Sequence, residues 1–201
     1  MKFLTLAIVL SAALLLSLTP TRAQEGGPPP IPKRKFNHRA EIVSVYDKSA
    51  DITSVVLQWY PVDEESKHSA LRHPPNVRIR AGFGYAGKTL KETPSSVRFD
   101  IGTDHEGESY FKGKEMPELV AFVDGEQIGL GKTLLERSKT TVAVVAPWQT
   151  TFETLSATFT YQGLLRIANA KKVRLKAGAL EFELGERQLE ALRDLASRMA
   201  P

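Results

Sequence analysis

Cysteine is absent from the 201 residues. That absence removes disulfides, thiolate nucleophiles, thiolate metal sites and the lipidated cysteine of a bacterial lipoprotein. Exported domains with small cores usually lean on disulfides, so this chain has to rely on packing; about 180 residues can bury about 70% of their unfolded surface as one domain. Asparagine is scarce, and none of Asn37, Asn76 and Asn169 starts an Asn-x-Ser/Thr acceptor sequence. The histidines His38, His68, His73 and His105 contain no His-x-x-x-His pair, and no Gly-x-Ser-x-Gly elbow occurs. Together the missing cysteines and acceptor sequences favour a bacterial envelope or extracellular protein.

What is present begins with an export signal over residues 1–23. Lys2 forms a basic start, 3–18 is apolar, and Thr21-Arg22-Ala23 places small residues at the −3 and −1 positions of a cleavage site. The apolar run falls short of the roughly 20 residues of a spanning helix, and no later stretch reaches that length, so no membrane span is expected once the signal is removed. Lys2 and Arg22 leave with the signal, so 27 basic and 23 acidic residues become 25 and 23. Such a balanced chain carries no electrostatic footprint for nucleic acid. Residues 24–38, rich in glycine and then proline, read as a disordered or polyproline spacer whose Lys33-Arg34-Lys35 run is a solvated cluster.

From residue 39 the pattern turns to strands. The clearest unit is 119–130, where Asp124-Gly125 separates two apolar runs and supplies the two positive φ values of a type I′ turn. That register sets Leu119 against Leu130, Ala121 against Ile128 and Phe122 against Gln127. Residues 40–46 and 52–62 form another hairpin around a polar turn at 47–50. Residues 77–85 alternate strictly, as do 97–101 and 154–160, and 141–146 adds a further strand. About ten strands with turns at short intervals predict a mainly β, antiparallel, sandwich-like domain over 39–201.

Two helices complete it. Thr160 caps a short one over 161–168, and 186–199 forms a C-terminal amphipathic helix with Leu189, Leu192, Leu195, Ala196 and Met199 as its buried stripe. Between them lies a hairpin. A loop at Ala177-Gly178 pairs Val173 with Phe182 and Leu175 with Leu180, and sets Arg174 against Glu181 and Lys172 against Glu183. Ala177 is a poor type I′ residue, so a bulged turn is the alternative there.

Three elements, Tyr46-Asp47-Lys48, Val123-Asp124-Gly125 and the spaced set Tyr161, Leu164, Ile167, Ala168, Ala170 and Val173, carry a resemblance. With them the chain, roughly over 39–199, resembles a family of exported bacterial β-rich proteins to which no function is attached. The resemblance implies fold and export, and transfers no catalytic residue.

Residues 82–89, Gly-Phe-Gly-Tyr-Ala-Gly-Lys-Thr, fit a phosphate-loop pattern, but Pro94 and the lack of an apolar period deny the helix that must follow. A strand ending in a Gly-Lys turn is expected instead. The loop 100–108 aligns Asp104, Glu106, Glu108 and Glu115 with a calcium loop, yet its sixth position is Ser109 where glycine is needed, so no metal and no cofactor is expected. No catalytic residue stands out. Trp148 and Tyr110 remain as candidate exposed aromatics for a sugar ring or partner, set against core packing as the ordinary fate of an aromatic. The sequence therefore predicts an exported, secreted or periplasmic, non-enzymatic binding or interaction module for an unidentified protein or glycan. The alternative is a carbohydrate-binding or carbohydrate-active domain.

Overall fold

A computed structural model describes residues 31–32, 34–62, 76–105, 109–111, 117–130, 133–142 and 148–201. The export signal, residues 24–30 of the expected spacer, and His68, His73, Glu106, Glu108 and Glu115 lie outside the described residues. Among those described, no helix is long and apolar enough to cross a membrane.

Among the described residues the fold is mostly β, with ten strands in two antiparallel sheets and two helices. The larger sheet holds six strands, β1 (Ile42–Asp47), β2 (Ile52–Pro61), β3 (Asn76–Ala86), β4 (Ser96–His105), β8 (Trp148–Thr160) and β7 (Thr133–Val142), in that spatial order. The smaller has β10 (Leu180–Leu184), β9 (Val173–Ala177), β5 (Leu119–Val123) and β6 (Glu126–Gly129). Strand alternation sorts the residues as the pattern requires. Val55 and Leu57 of β2, Val77, Ile79, Ala81 and Phe83 of β3, Val97, Phe99 and Ile101 of β4, and Leu155, Ala157 and Phe159 of β8 all point into one core.

The helices α1 (Tyr161–Asn169) and α2 (Glu186–Ser197) pack on each other. α1 also lies against β4 and β8, and α2 against β2, β3 and β10, so the helix pair joins the inner face of the larger sheet to the smaller one. Thr160 Oγ1 accepts the Gly163 amide at 3.1 Å and starts α1 at the expected residue. The β5–β6 hairpin has the expected register, with Asp124 and Gly125 at φ 50° and 93°. The Asp124 carboxylate also accepts the Lys171 and Lys172 amides, tying that turn to the start of β9.

Four expectations need correction. The β9–β10 loop is Gly178-Ala179, so Phe182 faces Leu175 and Leu184 faces Val173. Gly178 takes φ 59°, which Ala177 would resist. The Arg174–Glu181 and Lys172–Glu183 ion pairs still form, diagonally, at 2.8 and 3.1 Å. Next, 100–105 is strand and not loop; third, β7 already begins at Thr133, ahead of the expected 141, and 143–147 lie outside the described residues. Within the described part of the expected spacer, Ile31 is 6% exposed, Arg34 and the Asn37 amide bond Glu190, and His38 bonds Asp194. Finally, α2 is buried beyond its expected stripe, at Gln188, Glu190, Ala191 and Ser197 as well. Residues 31–40 cover the side of α2 that would otherwise face water.

Candidate functional site

Among the described residues, the outer face of the larger sheet groups aromatic and charged side chains together. Its centre is set by a bulge. β2 pairs with β3 in register up to Leu57 opposite Ala81 and resumes at Tyr60 opposite Ile79, leaving Gln58 and Trp59 together opposite Arg80. The extra residue reverses the alternation, so Trp59 turns outward while Leu57 and Tyr60 stay on the inner side.

Trp59 then reaches across β3. A Cβ at Gly102 of β4 would sit 2.9 Å from Trp59 Cζ3 and 3.0 Å from Cη2, so the bare glycine makes room for the indole. The Arg80 guanidinium lies over the Trp59 ring at 4.6 Å, Phe152 of β8 meets it edge-on at 6.3 Å, and the Arg78 guanidinium covers Phe152 at 5.0 Å. Asp100, directly opposite Arg80, is the anionic pivot: Arg80 Nε donates to Oδ2 and Arg98 Nε to Oδ1, both at 2.8 Å. Arg98 Nη2 also reaches Ser156 Oγ at 2.9 Å. The Asp100 bond holds the Arg98 pKa above its ordinary value, against the opposing effect of burial. Asp104 pairs with Arg78 at 3.5 Å and accepts from Asn76 at 3.3 Å. Arginine and aspartate therefore alternate across the strands, and the face presents polar donors and ring edges with little net charge.

The expected aromatics sit elsewhere, and no described element brings them together. Tyr110 is half-buried in the short 109–111 segment, where its carbonyl accepts the Ala179 amide at 3.3 Å and burial raises its phenol pKa. Trp148 heads β8 opposite Val142, and the placement of its side chain lies outside what is described. Alternation in the sequence turns Arg78 and Arg80 away from the apolar face of 77–85 and Arg98 and Asp100 outward on 97–101, but it misses Trp59, because unbroken alternation from Leu57 sends that residue inward. The one hint was Gly102 inside the β4 run, since a glycine within a strand marks a close approach.

Other groups weigh less. His38 uses both ring nitrogens, Nδ1 accepting the Ala40 amide at 3.2 Å and Nε2 bonding Asp194 at 3.1 Å, which leaves neither to activate a nucleophile. The phosphate-loop look-alike continues β3 to Ala86 and turns at Gly87, φ 73°, onto an open hollow of about 710 Å³ that Lys88, Lys91 and Glu92 help line. No helix follows it, so the amide cradle that phosphate needs is not built. Asp104, the first residue of the calcium-loop pattern, lies in β4 with its carboxylate engaged by Arg78 and Asn76.

No protein family, no curated protein and no solved structure matches the chain. The likeness to the exported β-rich family rests on its three motifs alone.

Proposed function

We propose that the protein is an exported, non-enzymatic binding module of the bacterial envelope or extracellular space that engages its partner through the outer face of the larger sheet. One observation carries this reading: the β2 bulge turns Trp59 onto a sheet face among three arginines, with Gly102 of β4, beyond β3, making room for its ring, where a core packing role would have turned it inward. Aromatic and arginine side chains are the residues most enriched where protein surfaces bind. Envelope extract passed over immobilised mature protein should leave a partner that the Trp59→Ala surface no longer retains. Turnover on a panel of ester, glycoside and peptide substrates, lost on changing one residue, would overturn it.

A second reading, a carbohydrate-binding domain, is favoured by the same face. Rigid rings beside bidentate donors and a buried acceptor suit a sugar's alternation of C–H faces and hydroxyls, and the near balance of Arg and Asp suits a neutral glycan. A glycan array read with wild type, Trp59→Ala, Tyr110→Ala and Trp148→Ala separates the readings. Signal lost only with Trp59 assigns the sheet face, and signal lost with Tyr110 or Trp148 assigns the aromatics first singled out from the sequence. A blank array leaves the protein partner.

A further inference from the structure

Four strands lie at sheet edges, β1 and β7 in the larger sheet and β10 and β6 in the smaller. An edge strand offers unpaired N–H and C=O groups, and proteins blunt that template with short strands, charges, proline or bulges. Three of these edges are blunted. β6 has four residues and starts with exposed Glu126, β10 carries Glu181 and Glu183 in alternation, and β7 carries Glu136, Arg137 and Lys139. β1, Ile-Val-Ser-Val-Tyr-Asp, has no charge before its last residue, no proline, and an unbroken register with β2. Val45 on it is 58% exposed and Ile52 on β2 is 43% exposed, two of the three large hydrophobic residues exposed among those described. No described segment pairs with its free side.

We infer that β1 pairs antiparallel with β1 of a second copy of this chain, about a two-fold axis through Ser44, so that two six-stranded sheets run on as one. The sequence of the strand selects this occupant and this register. A two-fold axis perpendicular to the sheet keeps inner faces together, so inward residues must meet inward residues and the axis must pass through a residue. Through Ser44, Ile42 meets Tyr46 and Val43 meets Val45 of the second copy, and the smallest side chain sits on the axis. An axis through Val45 sets Val43 against Asp47, and one through Val43 sets Glu41 against Val45; both mix charge with apolar surface. In the Ser44 register Glu41 falls opposite Asp47 at each end, a like-charge contact that ends the ladder and weakens it. The association is thus short and concentration-dependent.

The absence of cysteine makes the test direct. Facing residues of an antiparallel pair have Cα atoms about 4.5–5.5 Å apart, inside the disulfide window of about 4.4–6.8 Å. Ser44→Cys should cross-link into a dimer on mild oxidation, whereas Val45→Cys, offset from its own mate by two residues at about 7–8 Å, should not. In sedimentation equilibrium, wild type should dimerise with rising concentration. Val45→Lys should stay monomeric with an unchanged circular dichroism spectrum and melting temperature. Glu41→Lys should tighten the dimer several-fold, because it turns both end contacts attractive. A wild type that stays monomeric at every concentration, a dimer indifferent to Val45→Lys and Glu41→Lys, or equal cross-linking at positions 44 and 45 would each overturn the assignment.

Discussion

Gly102 is the residue on which the outer face depends, because its missing side chain is what lets an indole lie across three strands. Gly102→Ala would bring a methyl carbon to 2.9 Å from Trp59. The ring must lift, at a cost of about 1–3 kcal/mol of the overpacking kind. We expect a lower melting temperature and a tryptophan emission shifted to longer wavelength as Trp59 meets more water; unchanged emission would mean that the ring does not rest there. Asp100, 2% exposed, answers two guanidiniums. Asp100→Asn keeps the shape and removes the charge, and we expect a loss of about 1–3 kcal/mol on thermal melting. Asp104 lies within a strand, with the Arg78 guanidinium at 3.5 Å and the Asn76 amide donating to it at 3.3 Å. We therefore expect no calcium-dependent rise in melting temperature, although saturation of a native-state site at a hundredfold excess over Kd would add about 2.7 kcal/mol. A rise of several degrees that disappears in Asp104→Ala would contradict this.

Turns and caps decide the elements, and they also decide how much of the fold is legible in advance. Thr160→Ala removes the bond to the Gly163 amide and should cost about 1 kcal/mol, a drop of about 2–4 °C for a domain of this size; Thr160→Ser should restore most of it. That cap, the Asp124-Gly125 turn and the alternation of β3 were readable because each depends on residues within a few positions of one another. The β9–β10 register slipped because Ala177-Gly178 and Gly178-Ala179 are equally short loops. Only the φ of Gly178 and the Tyr110 carbonyl bonded to the Ala179 amide settle the choice. The outer site was half legible. Alternation put the arginines and Asp100 on one face, but a bulge has no local signature in Leu57-Gln58-Trp59-Tyr60, so the ring at the centre was missed. Length misled at β4 and β8, where polar Thr103, Asp104 and Glu153 belong to strands and not to loops.

Across the whole molecule, the segment 31–40 is bound to α2 by groups far apart in sequence. Glu190 accepts from Arg34, from the Asn37 amide and from Arg193, while Arg193 Nε holds the Ala168 carbonyl at 2.7 Å and so joins both helices. Burial works against the Glu190 charge, but the Arg193 bond, the Asn37 amide and the two guanidiniums outweigh it and hold its pKa below the ordinary glutamate value. A carboxyl depressed in the folded state contributes stability that is present above its unfolded pKa and is lost as pH falls through the folded one. Stability should therefore decline below about pH 4.5, and in Glu190→Gln that part of the decline should be missing from melts between pH 3 and 7. The Arg34–Glu190 contact closes 156 residues of chain. Contacts so distant form late, since the entropy of closing the intervening loop is lost before they give anything back. A chain delivered from its amino end would wait, with its longest sheet already available but one side bare, until α2 arrives to receive residues 31–40. Folding of this protein should thus be limited by its last helix, and the unfinished chain would be the form in which a chaperone meets it.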